Sequence, residues 1–150
     1  MARRWKPRRP KKLGSKPTRG QVVKALDAVY SHYIRLKDAD SAGIAKCVSC
    51  GVLARWEKLQ NGHYCSRGNY NTRWMDMNCH VQCVGCNVFK KGNYPEYTAF
   101  MIEKYGADAL QELIKESKKV VKIETAELLD QIQKYKEIVD KLKKEKSCNM

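Results

Sequence analysis

Apolar positions first fall into a helical rhythm after Gln21, where Val22, Leu26, Val29, Tyr30, Tyr33 and Ile34 form one stripe and Lys24, Asp27 and Lys37 lie off it. This spacing predicts an amphipathic helix that ends near Asp38. Residues 40–55 contain Ser, Gly and two cysteines without helical period, and predict a loop leading into a metal-binding knuckle. Short polar and aromatic stretches between Leu59 and Cys83, broken by Gly62, Gly68 and several Asn, predict two short strands joined by a long loop. Pro95 suits the first turn of a further helix stopping at Gly106, and Leu110, Leu113 and Ile114 define the inward face of another over 107–119. Thr125 is a good N-cap for a last helix, in which Leu128, Ile132, Tyr135, Val139 and Leu142 follow heptad steps of four and three. Two partners suit that seam, the first helix of the same chain or a second copy in a homodimer.

The elements give an α+β fold that is mostly α. Residues 1–20 form a disordered basic arm in this reading, 21–39 the N-terminal helix, 40–94 a metal-bound core and 95–146 a C-terminal helical region.

Charge changes this picture at one end. The 150 residues carry a net charge of +14, and residues 1–20 hold nine Lys/Arg with no acid, leaving +5 for the rest. Pro and Gly interrupt this arm, so it has little to bury and no helix to form. Arg3, Arg4, Arg8, Arg9, Lys11 and Lys12 are suited to phosphate contact, against the alternative of a solubilising tail. A polyanionic partner, nucleic acid before membrane or acidic protein, follows from the charge. No stretch approaches the roughly 20 apolar residues of a membrane span, and no apolar segment follows the basic N-terminus, so secretion is not expected. The seven cysteines are then expected in a reducing cytoplasm, where metal ligation is a better use for them than disulfides.

Cys47-Val-Ser-Cys50 and Cys83-Val-Gly-Cys86 are two C-x2-C pairs separated by 32 residues. Each pair directs two thiolates at one centre, and together they make the closed S4 set of structural zinc. Cys65, Cys79 and Cys148 remain over, with Cys79 a competitor for ligation. Between and after the pairs lie Gly62-His63-Tyr64 on the first predicted strand, Asn78 and His80 on the second, and Asn87 directly after the last cysteine. Alternation puts Asn78, His80 and Gln82 on one strand face.

At these residues the sequence resembles the HNH, or ββα-metal, nucleases in their zinc-clamped form, and the Cys86-Asn87 pair is like that of the phage endonuclease VII group. It resembles most specifically the NinG/Rap family of phage recombination proteins, through Cys47 to Gly51, Gly62 to Tyr64, Asn78 to Asn87, Lys91-Gly92-Asn93 and Tyr97, over about residues 21–145. The resemblance implies a zinc-clamped ββα-metal core flanked by amphipathic helices. It implies a phage or prophage protein of the bacterial host cytoplasm, and a structure-specific endonuclease acting on branched DNA such as Holliday junctions and D-loops. It implies His63 as general base, Asn78 orienting it, and Asn87 helping to hold a catalytic divalent metal. The residue before the base is often an Asp that ligates the metal, and here it is Gly62. His80 is the replacement ligand expected from the strand pattern, with Asp76 and Glu57 behind it.

Such a site hydrolyses a phosphodiester with a near-neutral His as base and Mg²⁺ or Mn²⁺ as electrophile. Arg67, Arg73, Lys90 and Lys91 are expected on DNA phosphates, while Tyr64, Tyr70 and Trp74 suit either unpaired bases or a small core. Two other functions explain the charge and the cysteines: a non-catalytic zinc module that binds nucleic acid, and an HNH nuclease that nicks ordinary duplex.

Overall fold

The computed structural model describes residues 12–147. Helix α1 spans Arg19–Lys37 and starts two residues inside the span expected to be an arm. Thr18 caps it in a reciprocal box: its hydroxyl accepts from the Gln21 N–H, and its own N–H donates to the Gln21 side chain. Arg35 and Lys37 in the last turn complement the helix dipole. Leu13 also packs on the core, so 12–20 are tied to the fold. The rest of the expected arm lies outside the described residues.

Two small antiparallel sheets follow. Strands β1, Ile44–Lys46, and β2, Leu53–Arg55, form a hairpin whose turn is the first cysteine knuckle, a region expected to be loop. Gly51 takes φ +79° there, and its N–H donates to the Cys47 carbonyl. Strands β3, Gln60–His63, and β4, Cys79–Gln82, are the pair expected from the sequence. Their register places Gly62 opposite His80 and His63 opposite Cys79. The connection between them includes a one-turn helix α2, Tyr70–Arg73. After β4 the second cysteine knuckle runs into a single π-helical turn, Gly85–Phe89, where the resemblance implied a full helix.

Helices α3, Tyr94–Tyr105, and α4, Ala107–Ser117, are joined through Gly106 at φ +89°. They bury Tyr97, Met101, Leu110 and Leu113 in a minor core with Cys65. Helix α5, Thr125–Ser147, lies along α1. Its seam residues Leu128, Ile132, Tyr135 and Val139 are buried in the main core with Val22, Leu26 and Val29, and the Tyr135 ring meets Tyr30 edge-on at 5.0 Å. Of the two partners expected for this seam, α1 of the same chain packs on it. The whole is a mostly helical α+β fold with small sheets. No helix among the described residues is long and apolar enough to cross a membrane.

Candidate functional site

The hairpin turn and the β4–π-turn junction bring Cys47, Cys50, Cys83 and Cys86 together, with all four sulfurs within 4.8 Å of one another. A tetrahedral ion with metal–sulfur bonds of about 2.3 Å requires sulfur–sulfur edges of about 3.8 Å. Cys50 and Cys83 stand 3.7 Å apart. Two sulfurs also accept hydrogen bonds, Cys83 from the Cys86 N–H and Cys86 from the Asn93 amide, both at 3.4 Å. The donor set thus fits a tetrahedral ion such as zinc. Cys79 does not compete. It is fully buried, its thiol donates to the Arg73 carbonyl at 3.5 Å, and burial pushes its pKa up to about 12.

Beside this cluster is an open cleft of about 390 Å³ that His63, Asn87, Asn61, Arg67 and Lys91 line. His63 ends β3, and its Nε2 lies 2.8 Å from the Arg73 carbonyl oxygen. A carbonyl only accepts, so in the neutral ring the proton is on Nε2 and Nδ1 carries the lone pair. Burial lowers the His63 pKa first, and the charges of Arg67 and Arg73 add to this. The Arg73 carbonyl and Asp27 pull it back up. Asn87, on the π turn, donates its amide to Gln60 at 2.8 Å. Its amide oxygen makes no protein hydrogen bond among the described residues. Lys91, which lines the cleft, and Asn93 two residues on hold positive φ of 49° and 45°, a strained arrangement of the kind that recurs at functional sites.

The structure separates other residues that the sequence pattern had grouped with these. Asn78 is buried, and its side chain makes no hydrogen bond to His63. Its Oδ1 accepts from the Cys65 N–H at 2.7 Å, and its amide donates to the Cys65 and Thr72 carbonyls. It therefore braces the loop that presents the Arg73 carbonyl, and that carbonyl, rather than the Asn78 amide oxygen, orients the histidine. His80 is no candidate metal ligand. Facing Gly62 across the sheet, it points to the opposite side from His63, where the hydroxyls of Tyr97 and Tyr105 hold its two ring nitrogens at 3.0 and 2.8 Å. Burial there lowers its pKa to about 3, so it stays neutral.

Among the expected DNA-contacting cations, Arg67 and Lys91 face the cleft and Lys90 is exposed on the adjoining turn. Arg73 is committed elsewhere, to both oxygens of Asp27 at 3.0 and 2.6 Å and to the Arg67 carbonyl. Lys12 lines a separate groove between α1 and α5. Arg3, Arg4, Arg8, Arg9 and Lys11 lie outside the described residues, as does Cys148. Trp74 donates to Asp27 and packs on Tyr70, and Tyr64 packs on Tyr97, so both rings serve the interior. Neither fallback carboxylate reaches the cleft: Asp76 accepts from Tyr30, Tyr33 and Lys37, and Glu57 pairs with Arg55.

Packing accounts for the glycine before the histidine. A Cβ at Gly62 would lie 2.0 Å from the Gln82 amide oxygen, while the Gln82 nitrogen is fixed by Ser49 and the Gly92 carbonyl. An Asp at 62 would have to evict that side chain. Two residues the sequence did not single out line the cleft region instead. Asp27 contributes its charge, and Asn61 holds a buried amide oxygen without a hydrogen-bond partner. Asn61 was findable, because strand alternation places it on the His63 face, two residues away.

Fold and site together define a small, mostly helical α+β protein in which a four-thiol cluster able to hold a metal ion flanks a cationic cleft lined by one histidine and two asparagines. The chain belongs to the NinG family: the family model described as Bacteriophage Lambda NinG protein matches residues 2–145. It is 35% identical over 112 residues to Protein ninG of Salmonella phage P22, covering 73% of this chain and 51% of that protein. It is also 35% identical over 106 residues to Protein ninG of Escherichia phage lambda, covering 69% and 48%. The chain thus spans about half the length of the curated relatives it matches. No solved structure matches it.

Proposed function

We propose that this protein is a metal-dependent endonuclease of the HNH type that cuts branched DNA in the phage-infected cell, with zinc in the four-thiol cluster as a structural clamp. The observation that carries this reading is the His63 imidazole. Its Nε2 is fixed on a carbonyl, its Nδ1 is left to take a proton, and Arg67 and Lys91 line the same cleft. A phosphodiester seated on those cations would bring an attacking water to Nδ1, which removes its proton as the bond to phosphorus forms.

The cleft offers an oxygen donor of the type that Mg²⁺ or Mn²⁺ takes, the amide oxygen of Asn87, whose nitrogen is held by Gln60. The chemistry such a cation supplies when bound is stabilisation of charge on the departing oxygen. Zinc in the thiol cluster would hold the knuckle that carries Asn87 against the hairpin, and so fix one wall of the cleft.

The deciding experiment incubates purified protein with a synthetic four-way junction and, separately, a linear duplex, in Mg²⁺ or Mn²⁺. Wild type is expected to cut the junction, and His63→Ala to bind it while cutting at least about 100-fold more slowly. Binding without cutting by either protein would make this a non-catalytic nucleic-acid-binding module. Equal cutting of duplex and junction would make it an ordinary nickase.

A further inference from the structure

The π turn that carries Asn87 also carries Phe89, whose side chain is 80% exposed. No ring or cation of the described residues packs on it. Val88 beside it is 51% exposed, and the next two residues are Lys90 and Lys91. A large ring held in water by a short, hydrogen-bonded turn forgoes the gain of burial unless a partner covers it. The turn is closed at its end by the Lys90 N–H donating to the Gly85 carbonyl at 2.9 Å, and its start is fixed by the cysteine cluster, so the ring is presented by a braced element.

We propose that Phe89 is a base-binding wedge that stacks on an unpaired nucleobase at the branch point of the DNA. This assignment rests on the nuclease reading above and adds to it the feature that selects branched over linear DNA. Three observations choose a nucleobase as the occupant: the flanking lysines favour a polyanion, the net charge is strongly positive, and the turn is continuous with the cleft through Asn87. Unpaired bases offer a free π-face that paired duplex lacks, and aromatic stacking on them is tolerant of sequence.

The test uses the full chain without added Mg²⁺ or Mn²⁺, on four-way junctions carrying 2-aminopurine at successive positions around the branch. Wild type is expected to quench the probe at one position beside the branch, where a base is unstacked or opened, and at none in the arms. Phe89→Ala is expected to abolish the quench and weaken junction binding about tenfold, leaving duplex affinity unchanged and Phe89→Trp close to wild type. Exposure of the ring makes both variants foldable, which circular dichroism would check. Phe89→Ala with unaltered quench and junction affinity would overturn the wedge while the nuclease stands. A wild type that neither cuts nor prefers junctions would overturn both. Conversion of a dimer to a monomer by Phe89→Ala would assign the ring to a protein interface and overturn the wedge.

Discussion

Burial and the neighbouring arginines hold the His63 imidazole below its ordinary pKa of 6.5, against the opposing pull of the Arg73 carbonyl and Asp27. A general base works in its neutral form, and lowering the pKa extends that form to lower pH. DNA cleavage is therefore expected to rise with pH through an inflection below 6.5 and to be level at pH 7, measured as kcat/KM on a junction substrate. Arg67→Met removes a positive charge that depresses the pKa, so its inflection is expected to move up. An inflection indifferent to Arg67 would mean that another group titrates. The residues of this site differ in how far the sequence revealed them. The cysteines were legible because C-x2-C spacing is itself the geometry of a knuckle, and His63 and Asn87 because a motif holds them close to it. Asn78, His80 and Arg73 were not, because their partners come from elsewhere. His80 is claimed by Tyr97 and Tyr105, Arg73 by Asp27, and Asn78 by the backbone of its own loop.

At the scale of elements, helical spacing located α1, α3, α4 and α5, because each buries one stripe and the stripe has the period of the helix. What covers a stripe is not written in its period. The heptad seam of α5 served a homodimer as well as α1 until the fold put Leu128 at zero exposure inside the chain's own core. Leu128→Ala is accordingly expected to cost about 2–5 kcal/mol in chemical denaturation with no change of sedimenting mass. A change of mass at unchanged stability would return the seam to a dimer. The cysteine cluster gives a parallel test. The β1–β2 hairpin has three residues per strand, and a sheet this small relies on what clamps it. One tightly held zinc per chain is expected by metal analysis, and Cys83→Ser is expected to lose it together with the cooperative unfolding of the β3–β4 region. A folded Cys83→Ser protein with full zinc content would move the ion to other ligands.

Over the whole molecule, the proposed function divides the charge into a part that would attract DNA and a part that would select its shape. Nine of the fourteen net charges sit in the first twenty residues, and +5 belongs to the remainder, which contains the cleft with Arg67 and Lys91. Phosphate neutralisation contributes to affinity through released counterions, with a salt slope of about 0.9 per contact that does not depend on DNA shape. On the proposed function, selection of a branch falls to the described residues, where His63, the cleft cations and Phe89 hold defined positions. Replacing Arg3, Arg4, Arg8, Arg9, Lys11 and Lys12 by Gln is expected to weaken binding to junction and duplex alike, flattening the dependence of log K on log salt by up to about 5. The junction-to-duplex affinity ratio and the cleavage position are expected to stay as they were. Titrations of both substrates between 50 and 200 mM salt would measure slope and ratio together. A collapsed ratio at unchanged slope would place branch recognition in the N-terminal cations and take it away from the cleft.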